Sequence, residues 1–228
     1  MGKALRKIIL RLLGLLVIYI IVCRFIMPPV TATQIESLLS GHGLKRDYVA
    51  WDKISPNVRL AVLASEDQLF PVHKGFDWKA IEKSMKGKRL KKQKIRGAGS
   101  STISQQTAKN VFLWQGTGLS KYIRKGPEFV LTKLIEWVWG KKRILHVYTN
   151  VIETGEGVFG FEAAAQKYFN KPADKLSVNE AAMITASLPN PKIYTVKPMS
   201  RRVCWRYKRI VKQMNNLKTD PKIQALIK

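Results

Sequence analysis

The sequence predicts a mainly α-helical domain behind one apolar N-terminal segment. Stretches with apolar residues at helical spacing follow one another along the chain, and several begin at residue types that cap helices. Runs with the two-residue alternation of β-strands are scarce. Neither an internal repeat nor a Ser/Gly-rich linker divides the 228 residues. We therefore expect one domain, or one domain with two lobes, after the apolar segment.

Segment 8–27 is predicted to be an uncleaved transmembrane anchor. It is about as long as the hydrocarbon core of a bilayer requires, and Arg11 and Arg24 lie near its ends, where long side chains reach the headgroups. Its uncharged centre is short enough for a signal peptide to be the alternative, but Pro28 and Pro29 follow instead of a small-residue cleavage site. The basic tail 1–7 predicts a cytoplasmic N-terminus and a domain on the outer face of a bacterial inner membrane.

Cap residues and the spacing of apolar residues predict the helices of the domain. Ser55 followed by Pro56 is an N-cap with proline in the first turn, so a helix runs from there to Glu66. Ser177 with Glu180 is a capping box in front of an apolar run. The predicted helices span 55–66, 78–85, 102–112, 128–139, 141–151, 177–188 and 201–217.

The chain carries a formal net charge of +26, and segment 83–96 is a dense run of bases without an acid. Such a charge favours polyanionic partners, which are nucleic acid, anionic lipid headgroups or phosphorylated substrates. A domain outside the membrane makes nucleic acid a poor partner. For segment 83–96, a solvated loop and a contact with headgroups or a pyrophosphate stay open as alternatives. Cys23 and Cys204 lack the spacing of metal ligands, so no zinc site is expected.

Two dense polar motifs, over 66–77 and 99–110, are not explained by a packed core. Glu66 and Asp67 form an acid pair at the C-terminus of the first predicted helix, where the helix dipole disfavours carboxylates. One interpretation of Glu66 is a general base, and the other is a solvated surface pair. His73 is a lone imidazole, a residue that is more often structural than catalytic.

The second motif combines hydroxyl groups with amide and ammonium groups. Gln105, Gln106 and Lys109 fall at i, i+1 and i+4, so Lys109 can share a helix face with both. Ser101 and Thr102, with the N-terminal amides of the helix, form a natural anion cradle. An ordinary capped helix with a polar face is the alternative.

A third group lies farther along the chain, where Glu128 follows Arg124 and Lys125 near a predicted helix start. One interpretation is a carboxylate that the helix dipole favours. The other is an acid beside two cations that hold phosphate oxygens.

The ordered motifs resemble those of the peptidoglycan glycosyltransferases across residues 60–191. The chain contains neither Ser-x-x-Lys nor Lys-Thr-Gly, the marks of a penicillin-reactive serine site, so it is similar to the monofunctional form. The motifs that carry the resemblance are Glu66-Asp67 with His73 and Asp77, 101–106 with Lys109-Asn110, Arg124-Lys125 with Glu128, 142–150, and 157–160 with 163–165 and 180–182.

The resemblance implies a lysozyme-like, bilobed catalytic domain over 55–200. Before it come the tail, the anchor and a membrane-proximal connector over 28–54, and a basic C-terminal helix over 201–228 completes it. The implied reaction polymerises lipid II into β-1,4-linked glycan with inversion at the anomeric carbon and releases undecaprenyl pyrophosphate. The implied partners are lipid II, the nascent glycan strand, the membrane and other cell-wall synthesis proteins, without nucleic acid.

The resemblance also assigns roles to residues. Glu66 is implied as the base that deprotonates the 4-hydroxyl group of the incoming sugar, and Glu128 as the second catalytic carboxylate, on the pyrophosphate side. No cofactor is required, and a divalent cation such as Mg²⁺ on Glu128 is the alternative. The implied substrate-binding residues are Asp67, His73, Ser101, Thr102, Gln105, Gln106, Lys109, Asn110, Arg124 and Lys125.

The chain departs from the family pattern at a few positions. His146 and Thr149 stand where the fourth motif commonly has Glu and Leu, and one extra residue precedes the second motif. Pro127 lies inside the third motif, which puts the position of Arg124 relative to Glu128 in question. Two other functions stay open: a lysozyme-like lytic enzyme, for which the bases of the third motif would be superfluous, and a non-catalytic membrane-bound scaffold that binds lipid II.

Overall fold

The structure is a computed structural model that describes residues 2–89, 101–116 and 118–228. The mainly α-helical class is confirmed. The part of the basic run 83–96 beyond the fourth helix, and the extra residue before the second motif, lie outside the described residues. The helices are α1 (Gly2–Phe25), α2 (Ala32–Leu39), α3 (Pro56–Glu66), α4 (Trp78–Arg89), α5 (Ile103–Phe112), α6 (Ser120–Ile123), α7 (Lys125–Val138), α8 (Gly140–Val151), α9 (Phe161–Phe169), α10 (Val178–Ser187), α11 (Arg201–Leu217) and α12 (Pro221–Ile227).

A small sheet adds three short strands, β1 (Lys45–Arg46), β2 (Glu153–Gly155) and β3 (Val158–Phe159). Their order is β1-β3-β2, with β1 parallel and β2 antiparallel to β3. Segment 28–54, which was expected to be a connector, thus contributes a strand to the domain. It also contains α2, which has a capping box of Thr31 with Gln34 and packs on α5 through a bond from Thr33 Oγ1 to the Asn110 carbonyl (3.2 Å). This segment is therefore packed onto the domain rather than suspended between it and the anchor.

The residues that were predicted to cap helices lie at the starts of those helices. Ser55 caps α3 with Pro56 in the first turn, and Thr102 and Ser177 each form a capping box at the start of α5 and α10. Helix α11 has its predicted bounds. Helix α7 begins earlier than predicted because Arg124, in helical conformation, is both the C-cap of α6 and the N-cap of α7. The group of Arg124, Lys125 and Glu128 consequently lies within one helical turn.

The core is built around α3 and α10 on one side and α5, α7 and α8 on the other. Helix α10 packs against α3 and α11, and α5 packs against α7 and α8. Leu63, Ile103, Ile144 and Tyr148 are fully buried in this core. The C-terminus of α3 and the N-terminus of α5 are thereby held side by side, which places the first two polar motifs next to each other.

Helix α1 is long and apolar enough to cross a membrane. Most of its apolar side chains are exposed, whereas Ile20 and Cys23 near its end are buried against the domain. Trp139 Nε1 donates to the Ile20 carbonyl (2.7 Å), and Arg143 Nη2 donates to the Cys23 carbonyl (2.9 Å). The last turns of α1 are thus a packed part of the domain as well as the end of an apolar helix.

The turn between β3 and α9 depends on Gly160, whose φ is 83°. A Cβ at this position would lie 2.5 Å from the carbonyl oxygen of Asn150, a backbone atom that cannot swing away. Gly41 has a similar φ of 74°, but a Cβ there would meet no atom within 4 Å. Gly160 is therefore required both by its backbone angle and by close approach.

We expect Gly160→Ala to destabilise the protein more than Gly41→Ala. Both substitutions carry the cost of an alanine at positive φ, and overlap at Gly160 adds about 1–3 kcal/mol. That difference corresponds to a Tm lower by roughly 2–4 °C per kcal/mol for a chain of this size. Thermal unfolding of both variants in the same detergent measures the difference, and equal Tm values would contradict the steric contribution of Gly160.

Candidate active site

A cleft of about 810 Å³ lies where the end of α3, the start of α5, the start of α7 and one face of α11 meet. Polar and charged side chains from all of these helices face it. Every predicted site residue except His73 and Asn110 contributes to its lining. Those that do are Glu66, Asp67, Ser101, Thr102, Gln105, Gln106, Lys109, Arg124, Lys125 and Glu128.

Glu66 is the last residue of α3, and hydrogen bonds orient its carboxylate. Ser65 Oγ donates to Oε1 (2.8 Å), and Gln106 Nε2 donates to Oε2 (3.2 Å). Arg206 Nη2 from α11 lies 3.7 Å from Oε1. Two hydrogen-bond donors and one ion-paired guanidinium, from three helices, therefore surround one carboxylate in the cleft, which is an arrangement suited to accepting a proton at a defined place.

The orientation of the Gln106 amide is set by Tyr148, a fully buried residue of α8. The Tyr148 hydroxyl donates to Gln106 Oε1 (3.1 Å), which turns the amide nitrogen toward Glu66. Burial, assisted by the negative charges of Glu66 and Asp67, raises the pKa of Tyr148 well above its ordinary value. The hydroxyl thus keeps its proton, and the chain Tyr148–Gln106–Glu66 has one direction of donation.

Glu128 is a buried carboxylate between two cations. Arg124 Nη1 donates to Oε2, and Lys125 Nζ donates to Oε1 (2.6 Å). The side chain of Glu128 is 2% exposed and that of Arg124 is 4% exposed, whereas that of Lys125 is 46% exposed. Pro127 lies in the same turn without separating Arg124 from Glu128. The two cations exceed the one carboxylate in charge, so the group carries a net positive charge toward the cleft.

Lys109 of α5 adds a further cation beside this group. It is half-buried and lines the cleft. Burial is the main cause that lowers the pKa of Lys109 to about 8, and the charge of Arg124 lowers it further, whereas Glu128 opposes the change. The ammonium group is thus cationic at neutral pH and becomes neutral within the mildly alkaline range.

The expected anion cradle at the start of α5 is occupied by the protein itself. The Ile103 amide donates to Asp67 Oδ2 (3.0 Å), and the Gln105 amide donates to Thr102 Oγ1 (3.2 Å). Gln105 Oε1 in turn accepts from the Thr102 amide (3.0 Å). The Thr102, Ile103 and Gln105 amides are therefore already used by a carboxylate and a capping box, and the binding of a substrate anion at this helix start stays a prediction. Lys109, Arg124 and Lys125 bring positive charge to the same cleft.

Two predicted substrate-binding residues lie away from the cleft. His73 Nε2 is 2.9 Å from Asp67 Oδ2, so the imidazole supports the carboxylate that holds α5. Asn110 is 2% exposed, and its carbonyl accepts from Thr33 of α2. The structure thus places His73 behind Asp67, and Asn110 between α2 and α5.

Comparison with known proteins identifies the family to which this chain belongs. The family model described as Transglycosylase matches residues 32–215. This chain belongs to the transglycosylase family. The "biosynthetic peptidoglycan transglycosylase" of Shigella boydii serotype 4 (strain Sb227) is 47% identical over 96% of this chain and 93% of its own length. Proteins of the same name from Escherichia coli, one from strain ATCC 8739 and one from strain K12 / DH10B, are each 46% identical over the same shares.

Several residues that line the cleft of this transglycosylase were missed by the sequence analysis. Ser65 and Lys121 lie beside the predicted motifs, and Arg202 and Arg206 come from the C-terminal helix α11. The i, i+4 spacing of the two arginines places them on one face, and that spacing is a signal visible in the sequence. Which face of a basic helix meets the cleft is decided by its packing on α3 and α10, which spacing alone does not reveal.

Proposed function

We propose that this peptidoglycan glycosyltransferase polymerises lipid II into β-1,4-linked glycan strands and releases undecaprenyl pyrophosphate. The observation that carries the proposal is the lining of one cleft by an oriented carboxylate, Glu66, and by a positive group around Glu128. A transferase needs both at once, because a hydroxyl group must lose its proton while a charged leaving group departs. The family membership and the names of the relatives support the same reaction class.

Glu66 acts as the general base in this proposal. As the 4-hydroxyl oxygen of the incoming sugar forms a bond to the anomeric carbon of the growing chain, its proton passes to the Glu66 carboxylate. The bond from that carbon to the pyrophosphate oxygen breaks on the opposite face, so the configuration inverts. Ser65 and Gln106 keep the carboxylate oriented while it takes the proton. General bases of this kind contribute about 10²–10⁴ to a rate.

Negative charge develops on the departing pyrophosphate, and the positive group around Glu128 stabilises that charge. Lys109, Arg124 and Lys125 supply charge-assisted donors, which are most effective in a site that excludes water. Glu128 holds Arg124 and Lys125 in place through one carboxylate oxygen each. Its role in this proposal is to orient cations rather than to transfer a proton.

We infer that side-chain cations, rather than a divalent cation, compensate the pyrophosphate charge. Both oxygens of Glu128 accept from cationic side chains, so Mg²⁺ would have to displace one of them and would sit beside Lys109. Within the ranges that the structure describes, no group of three or more His, Cys, Asp or Glu residues could hold a metal ion. The residues around Glu128 therefore do not fit a divalent cation as they stand.

The proposed location is the outer face of a bacterial inner membrane, with α1 as a single-pass anchor. Basic residues precede the apolar part of α1, which predicts a cytoplasmic N-terminus. A net charge of +26 suits a protein that works on a pyrophosphate lipid at an anionic surface.

The test is incubation of the purified full-length protein with labelled lipid II in detergent. Polymer that lysozyme digests is expected, because lysozyme cleaves the β-1,4 bonds that the reaction would form. Release of muropeptides from finished cell wall without polymer would support a lytic enzyme instead. Binding of lipid II without turnover would support the scaffold.

The pH dependence of polymerisation is expected to report Lys109. Because the pKa of Lys109 is lowered to about 8, the free enzyme loses this positive charge as the pH rises through that value. We expect kcat/KM to fall on the alkaline side of about pH 8. Lys109→Arg should move this limb to higher pH because a guanidinium stays charged, and Lys109→Gln should lower kcat/KM about 10²-fold at neutral pH and remove the limb. An alkaline limb that Lys109→Arg leaves in place would assign it to another group.

A further inference from the structure

A second cavity, of about 360 Å³, lies at the junction of the anchor helix with the domain. We call it the junction cavity, and its lining includes Arg24, Lys142, Arg143, Trp51, Trp139 and His146. It shares no lining residue with the catalytic cleft. Its volume is in the range of sites that hold small molecules or headgroups, which is about 300–1,000 Å³.

We propose that the junction cavity binds the phosphate headgroup of an anionic phospholipid in the membrane leaflet beside the domain. The proposal rests on the proposed function only in that α1 is taken as a membrane anchor. The ligand is a lipid bound for its phosphate and glycerol groups, apart from the lipid-linked sugar that reacts in the cleft.

The residues that line the junction cavity carry positive charge and include no acid. Its lining contains three bases and no carboxylate. Arg143 donates to the carbonyls of Cys23 (2.9 Å) and Ile26 (2.5 Å), and Arg24 donates to the carbonyl of Val138. These bonds orient the guanidinium groups without neutralising their charge. An anion would therefore be attracted to a site whose positive charges are already held in place.

His146 leaves this positive charge uncompensated. Its Nε2 is 2.9 Å from the Val49 carbonyl, so Nε2 carries a proton and donates. Its Nδ1 lies 3.3 Å from Arg143 Nη1 and accepts. Burial is the main cause that lowers the pKa of His146, with Arg143 acting in the same direction. A neutral imidazole thus stands where the fourth motif of the resembling family commonly has a glutamate, and it brings no negative charge to Arg143.

Lys142 is the base that a ligand could engage most directly. Its ammonium lies 5.1 Å from the centre of the Trp51 ring, and within the described parts of the chain it makes no hydrogen bond or ion pair. Lys142 also lies in the first turn of α8, which contains no acid, although the helix dipole favours anions at that end. A bound phosphate would satisfy the ammonium and the helix end together.

The position of the cavity points to a membrane lipid as the source of the phosphate. It lies at the last turn of the apolar helix α1, beside Phe25, whose side chain is 74% exposed. Tryptophan and arginine side chains are enriched at this depth, where headgroups meet the hydrocarbon. A phosphate on a lipid reaches this site without leaving the bilayer, whereas a soluble phosphate would have to compete with the headgroups around it.

The experiment is native mass spectrometry of the full-length protein released from nanodiscs that hold equal amounts of phosphatidylglycerol and phosphatidylethanolamine. We expect the wild type and Lys142→Arg to retain phosphatidylglycerol preferentially. Lys142→Glu should retain about tenfold less. Lys212→Glu is the matched control, because Lys212 is exposed on α11 and the charge change is identical. The control should retain as much as the wild type.

Three outcomes would overturn the proposal. Equal retention of both lipids by the wild type would mean that no anionic site exists. Equal losses in Lys142→Glu and Lys212→Glu would assign the preference to the overall charge. Displacement of phosphatidylglycerol by inorganic phosphate would show a site for soluble phosphate instead.

The same preparations separate this proposal from the proposed function. Polymerisation of lipid II in neutral phosphatidylcholine nanodiscs should be the same for Lys142→Glu and the wild type. If neither polymerises but the wild type retains phosphatidylglycerol, the proposed function fails while the junction cavity stands. If the wild type does not enter nanodiscs, the anchor is wrong and the lipid site falls with it.

Discussion

Glu66→Gln is expected to reduce polymerisation of lipid II by about 10²–10⁴-fold while the protein stays folded. The amide keeps the shape of the side chain and can still accept from Ser65 Oγ, which lies 2.8 Å from Oε1 in the wild type. It cannot take up the proton of a sugar hydroxyl at neutral pH. The loss should appear in kcat, because the proposed function assigns substrate binding mainly to the cations at the other end of the cleft. Lipid II turnover, followed with labelled substrate, measures it.

The control for this experiment is Glu156→Gln, which makes the same change of charge. Glu156 pairs with His42 at 2.6 Å, its side chain is 57% exposed, and it does not line the cleft. Its activity should match that of the wild type. A Glu66→Gln enzyme with nearly wild-type turnover would remove Glu66 from the role of base and reopen the scaffold and lytic alternatives. Circular dichroism of both variants shows whether the helices are kept.

Arg206 of α11 is a further neighbour of the Glu66 carboxylate. Burial is the main cause that lowers the pKa of this arginine, and Glu66 opposes the change. Arg206 Nη2 also donates to Ser65 Oγ (3.1 Å), so it contacts the residue that orients Glu66. Its guanidinium lies 3.7 Å from Glu66 Oε1, so α11 brings a positive charge beside the proposed base. The C-terminal helix is thus part of the site and not only part of the scaffold.

Much of the helical structure could be predicted from the sequence because local chemistry decides where helices begin. Ser55, Thr102 and Ser177 cap three helices through their own side chains, and those contacts involve residues that are close in sequence. The placement of Glu66 at the end of α3 follows from the same local reading. Motif order then gave the reaction class without any knowledge of the fold.

Other features depend on contacts between distant residues and could not be predicted in this way. Strand β1 is two residues long and exists because Lys45 and Arg46 pair with β3, more than a hundred residues later. Tyr148 was visible as part of a motif, but its bond to Gln106 appears only when α8 packs on α5. The same applies to Asp67, whose carboxylate accepts from the Ile103 amide, one of the amides that were expected to receive substrate. A cap residue predicts the start of its own helix from nearby residues. A partner on another helix can be identified only once the packing of the two helices is known.

Glu128→Gln is the second substitution with a large expected effect, a loss of about 10²–10³-fold in kcat. A neutral amide cannot hold Arg124 and Lys125 with charge-assisted bonds on both oxygens, so the cations lose their alignment toward the pyrophosphate. The Tm should fall as well, because the nearly buried Arg124 loses its counter-charge. Activity must therefore be measured per folded molecule, below the Tm of the variant. Loss of Tm with full activity per folded molecule would leave Glu128 with only the role of a carboxylate at a helix start.

A double-mutant cycle with Arg124→Gln decides how Glu128 acts. If the carboxylate works by holding the guanidinium, the rate lost by the double variant should be smaller than the product of the two single losses, since both substitutions remove the same aligned cation. If Glu128 contacts the substrate by itself, the losses should multiply. Lys125→Gln measures how much the more exposed cation contributes to the rate. We expect a smaller loss of rate there, because the Lys125 side chain is 46% exposed and water screens its charge. Strict multiplication of the Arg124 and Glu128 effects would contradict the orienting role and would move Glu128 into direct contact with the leaving group.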